Sequence, residues 1–136
     1  MAINARVGSG VVLLTAGAFA LAGEGIVHLQ QYFALFHVVH WIGPLFLANT
    51  AACALAIVGL VHPRTRDLAA LGGVAISAIA LGSLVVSYGQ GLFGWQEAGF
   101  RAVIELTVSF ELAAVVLLSA GLATAASGTR VRPSAA

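Results

Sequence analysis

Residues 41–88 read WIGPLFLANTAACALAIVGLV, then HPRTRD, then LAALGGVAISAIALGSLVVSY: two runs of 21 residues without a charge, joined by six polar positions. At 1.5 Å per residue, a helix of that length measures about 31 Å, the thickness of a bilayer's hydrocarbon core. Each run is therefore read as a membrane-crossing helix. Pro63 stops the first of them, while Arg64, Arg66 and Asp67 belong in water and His62 reads as a solvated loop residue. Pro44 falls in a first turn, where its missing donor costs nothing.

The flanks repeat the pattern. Residues 9–29 form another apolar run; with Arg6 and the Ala20-Leu21-Ala22 triplet it also matches a secretory leader cleaved after Ala22, and it is read here as the first spanning helix. Residues 101–124 make a fourth, with Glu105 and Glu111 inside it. The segment 89–100, GQGLFGWQEAGF, is a glycine-rich surface connection, and residues 127–136, SGTRVRPSAA, read as a disordered tail.

Composition agrees. Hydrophobic residues make up 60% of the 136 and charged ones 8%, far below the roughly one quarter charged of a soluble domain. With a net charge of +1 and no lysine, the chain lacks the basic stripe of a nucleic-acid binder. Cys53 is alone, which excludes an internal disulfide and makes it a small core residue. No nucleophile elbow, phosphate loop, zinc-protease helix or paired-cysteine motif is present.

The expected fold is all-α: a four-helix transmembrane bundle, up-down-up-down, spanning residues 1–126. Arg6, Arg64, Arg66, Arg130 and Arg132 fall on one side of it and Arg101 on the other, so the positive-inside rule makes both termini cytoplasmic and the protein multi-pass in the plasma (inner) membrane. Its partners are then the lipid bilayer, and a membrane-complex subunit or a second copy. Small residues are expected at helix contacts in lipid: Ala18 and Ala22, Gly73 with Ser77, Ala78 with Gly82, and Ala113, Ser119 and Gly121. Gly23-Glu24-Gly25 and Gly89-Gln90-Gly91 also suggest a faint repeat of two hairpins.

The polar exceptions concentrate in residues 23–41, GEGIVHLQQYFALFHVVHW, which hold three of the four histidines. On the arginine count this stretch faces outside, with Tyr32 and Trp41 as interfacial anchors. Glu24 and His28 are four apart and share a helical face; His37 and His40 are three apart. Joined by Glu105, the five residues Glu24, His28, His37, His40 and Glu105 have the make-up of a site for zinc, iron, copper or manganese. Two alternatives use the same groups: haem b held by His28 with His37 or His40, and a quinone gripped between helices by His and Glu. Glu111 lies about 13 Å into the membrane by helical rise, where a carboxyl is neutral, paired or facing a wet cavity. It could extend a proton path inward from the outer cluster. Glu97, Arg101 and Glu105 are spaced as an ion-pair ladder. The plainest reading has all these groups only tying helices together, in a non-catalytic assembly subunit.

The Gly23-Glu24 step, the His-rich connection and the opening of the second run, Ile42-Gly43-Pro44-Leu45-Phe46-Leu47-Ala48-Asn49, resemble a group of small actinobacterial four-helix membrane proteins without a known activity. The layout is also similar to the DoxX-like architecture, whose members include a subunit of a thiosulfate:quinone oxidoreductase. The first resemblance covers most of the chain and implies the fold; the second is architectural and implies quinone-linked redox chemistry. The function expected is thus a redox-associated metal- or haem-binding membrane protein or accessory subunit, and the competing expectations are an assembly subunit or a small transporter or proton conductor.

Overall fold

The computed structural model describes residues 2–99 and 101–129, with side chains from 8 to 127 apart from Phe100. Four helices account for nearly all of them: α1 (Ala2–Ala34), α2 (Ile42–Val61), α3 (Arg66–Gly89) and α4 (Ala102–Thr129). All four are long and apolar enough to cross a membrane, and no strand occurs among the described residues. Their outward faces carry Phe19, Ile26, Leu55, Val58, Leu68, Val85 and Val116, each more than 60% exposed. A helix that is apolar all round, with its outer face uncovered, suits lipid.

Three ends differ from the sequence reading, the first being the start of α1, at Ala2 and not residue 9. α1 does not stop at residue 29 but continues through Leu-Gln-Gln-Tyr-Phe-Ala to Ala34. These residues form helix well, and glycine or proline does not recur between Gly25 and Gly43. A single 3₁₀ turn, Phe36–Val38, then leads into α2. At the other end α4 continues to Thr129, into the stretch expected as tail; residues 130–136, with Arg130 and Arg132, lie outside the described residues.

Each helix touches its chain neighbour, and α1 closes the ring with its broadest contact, against α4. The α1–α4 seam runs in opposite directions along the two helices: Gly10 lies beside Thr124, Gly17 beside Leu118 and Gly23 beside Phe110. A methyl on Gly17 would come 2.5 Å from Leu118 Cδ2, and one on Gly121 would come 2.6 Å from Leu14 Cδ2. Such close backbone approach is how helices gain dispersion contact in lipid, where burial from water gives no drive. Gly73 packs the same way against Leu118 and Leu21. Ala78, Gly82 and Ser119, expected at contacts, are exposed instead. Ala78 follows Gly73 by five residues, which puts it about 140° round the helix from that contact.

The proposed hairpin repeat does not appear. Gly23 and Gly25 lie inside α1, whereas Gly89 ends α3 and Gly91 adopts a left-handed backbone, φ 81°. In the α3–α4 connection Leu92 and Trp95 exchange backbone hydrogen bonds of 2.7 and 2.8 Å around Phe93 and Gly94, both at positive φ. That is the mirror-image turn which suits Gly at both central places. Phe93 holds φ 48° there with its ring 64% exposed.

Candidate metal centre

Glu24, on the inner face of α1, is fully buried and both of its carboxylate oxygens are engaged. Asn49 of α2 donates from Nδ2 to one at 3.0 Å, and Ser77 of α3 donates from Oγ to the other at 2.6 Å. Three helices thus meet on one carboxyl group, through a hydrogen bond to each of its oxygens. Cys53, one turn beyond Asn49, donates its thiol to Asn49 Oδ1 at 3.5 Å and is buried, the core position expected of it.

One turn along α1, the His28 ring donates from Nδ1 to the Glu24 carbonyl at 3.0 Å. A carbonyl only accepts, so Nδ1 carries a proton, and in the neutral ring this leaves the lone pair on Nε2. Nε2 points across the bundle to Glu111 of α4, 3.8 Å from its Oε1. Glu111 is 2% exposed, and its Oε2 has no hydrogen-bond partner among the described residues. One ligand atom from each of Glu24, His28 and Glu111 lies within 4.8 Å of the others, and all three residues are buried.

The donor set fits a divalent transition metal. Metal–nitrogen and metal–oxygen bonds of about 2.0–2.2 Å hold neighbouring ligand atoms about 3–4 Å apart, so a closing of about an ångström suffices. Two carboxylates and a neutral imidazole balance a 2+ ion, which matters where an uncompensated charge is costly. The Nδ1–H to carbonyl bond is the usual second contact of a metal-bound histidine, fixing its tautomer and aim.

The other expected members are elsewhere. His37 is exposed on the 3₁₀ turn, its Nδ1 3.3 Å from the Tyr32 carbonyl; His40 is exposed, edge-on to Trp41 at 4.9 Å. Both lie beyond the end of α1, so they do not join His28. For the expected haem b pairing of His28 with either, the group opposite Nε2 is Glu111 Oε1, 3.8 Å away. Glu105 is exposed on α4 and takes no part in the group. Six residues separate it from Glu111, about 120° of helix rotation, so the two acids cannot both face the core. The ladder reduces to one ion pair, Arg101 Nη2 to Glu97 at 2.9 Å, with Glu97 in the connection before α4. Glu97 also accepts from Trp95 Nε1 at 3.3 Å. His62 is exposed at the end of α2, as a loop residue would be.

Beside the group opens a cavity of about 340 Å³ between α2, α3 and α4. His28, Asn49 and Glu111 line it together with apolar walls that include Ile76, Ile79 and Leu84. Aromatic rings border it in sequence: His28 to Phe46 at 4.9 Å, Phe46 stacked on Phe36 at 4.3 Å, and Phe36 edge-on to Trp95 at 5.1 Å.

The fold and the group together define an all-helical protein whose four helices are long and apolar enough to span a membrane, with a buried His/Glu cluster at the helix junction. Comparison with protein-family models, curated proteins and solved structures found no match to this chain. Function must then be argued from the site itself.

Proposed function

We propose that this is a multi-pass membrane protein that binds one transition-metal ion within the bilayer, through His28 Nε2 and the carboxylates of Glu24 and Glu111. The observation that carries the reading is a buried Glu111 carboxyl whose Oε1 lies 3.8 Å from His28 Nε2 and whose Oε2 has no hydrogen-bond partner among the described residues. In a water-poor interior either group alone is costly, and a metal ion satisfies both. One imidazole and two carboxylates favour iron, manganese or zinc over a soft ion such as Cu(I). Iron or manganese would give a redox centre beside the apolar cavity, the redox-associated role expected of the chain; zinc would give a structural or Lewis-acid one. Haem is disfavoured, because Glu111 occupies the space 3.8 Å from Nε2 that a porphyrin plane would need.

A second reading has its own support. Asn49 and Ser77 clamp Glu24 from two other helices, so part of the cluster ties the bundle together with or without an ion. Metal analysis of protein purified in mild detergent separates the two, followed by Co2+ titration read in the visible d–d bands. The metal reading expects one ion per chain, lost in His28→Ala. A folded protein that takes up neither Co2+, Zn2+, Fe2+ nor Mn2+ leaves only the tying role.

A further inference from the structure

Two buried side-chain polar atoms lack a hydrogen-bond partner among the described residues, Glu111 Oε2 and Arg101 Nε, and both residues line the same cavity. A metal ion accounts for the first and leaves the second unexplained. Arg101 stands at the start of α4, about 15 Å along the helix axis from Glu111 by helical rise. Between the two ends the walls are mainly apolar, with Ile76, Ile79, Ala80 and Leu84 of α3 and Ile104 of α4, interrupted by the hydroxyls of Ser83 and Thr107. A volume of about 340 Å³ falls at the small end of sites for organic ligands, which typically enclose about 300–1,000 Å³ with a few polar groups in apolar walls.

We propose that the cavity binds a lipid-soluble, neutral carbonyl compound, its oxygen accepting from Arg101 Nε–H and its apolar body lying toward the His28–Glu111 end. Charge decides the head group. The guanidinium is already balanced by Glu97 through Nη2, so a second carboxylate would bring an uncompensated negative charge into an apolar space. A carbonyl oxygen satisfies the remaining N–H without adding charge. The apolar body answers the walls, and Trp95 lines the cavity as well. This goes beyond the metal reading and does not rest on it.

The test uses 4-hexylbenzophenone, a neutral lipid-soluble ketone that crosslinks to nearby C–H groups on irradiation, with the whole protein in detergent and attachment mapped by mass spectrometry. Labelling is expected on residues 76–84 and 101–111, competed by 2-tridecanone and not by tridecane. Arg101→Lys keeps the charge facing Glu97 but lacks the Nε–H, and Ala80→Phe fills the cavity; each is expected to cut labelling at least fivefold with the helical circular dichroism unchanged. Treatment with EDTA is expected to change labelling by less than twofold, so loss of the metal reading would leave this one standing. Labelling no higher in the cavity than at the outward Phe19, Ile26 and Val58 overturns the proposal. Stronger competition by tridecanoate than by the ketone overturns its choice of head group.

Discussion

The histidine-rich stretch divides into halves that both carry histidine and meet opposite fates. Glu24 and His28 lie on the inward face of α1, 0% and 7% exposed, each held by directed polar contacts. His37 and His40 follow the end of the helix, exposed and resting against Tyr32 and Trp41. The difference is one of register and helix length, not of residue type. While α1 continues, a fixed rotation of about 100° per residue keeps Glu24 and His28 on the face that meets Asn49, Ser77 and Glu111. Once it ends after Ala34, that register no longer applies.

The widest gap between the halves should appear in metal affinity. Removing the imidazole in His28→Ala, or a charge in Glu111→Gln, should weaken Co2+ binding at least a hundredfold, about 2.7 kcal/mol. His37→Ala and His40→Ala should stay within twofold; a large effect there would erase the distinction drawn between the halves. Next comes the scaffold that sets the register. Gly17→Val places a side chain where a single methyl already meets Leu118, so it should destabilise the bundle by about 1–3 kcal/mol, read by unfolding in mixed detergent. Smaller again is the contribution of the groups behind the ligands. Asn49→Ala or Ser77→Ala should cost about tenfold in Co2+ affinity, the lower end of what supporting hydrogen bonds give. The least effect is expected at Phe93, where Phe93→Gly relieves a left-handed backbone and should raise stability by no more than about 1 kcal/mol.

Much of this was legible in the chain. Two uncharged runs and two further mostly apolar ones, bounded by Pro63, by arginines and by glycine-rich connections, are enough to count four helices able to span, because about 20 predominantly apolar residues match the hydrocarbon thickness. The Glu24–His28 spacing of four marks a shared face as soon as the segment is taken as helix. Glu111 stands out for the same reason, as a carboxyl too deep to be left unpaired. What differed was the far end of α1: Gln30, Gln31 and Tyr32 read as a surface turn, although nothing there breaks a helix, and His37 and His40 lie past its end, outside the Glu24–His28–Glu111 group. Glu105 carried its own correction, since six residues cannot bring two acids to one face. The roles of Asn49 and Ser77 were beyond reach. An interruption in an apolar run and a small residue in a packing stripe become hydrogen-bond donors only when the helices are set side by side.

The thiol of Cys53 has a use of another kind. It is 1% exposed and bonded to the same Asn49 that grips Glu24, so an alkylating reagent reaches it only when α2 parts from α1 at that level. The rate at which N-ethylmaleimide consumes this one sulfur therefore clocks the opening of the polar junction, a built-in stopwatch that needs no engineered label, and any occupant that locks the junction should slow it.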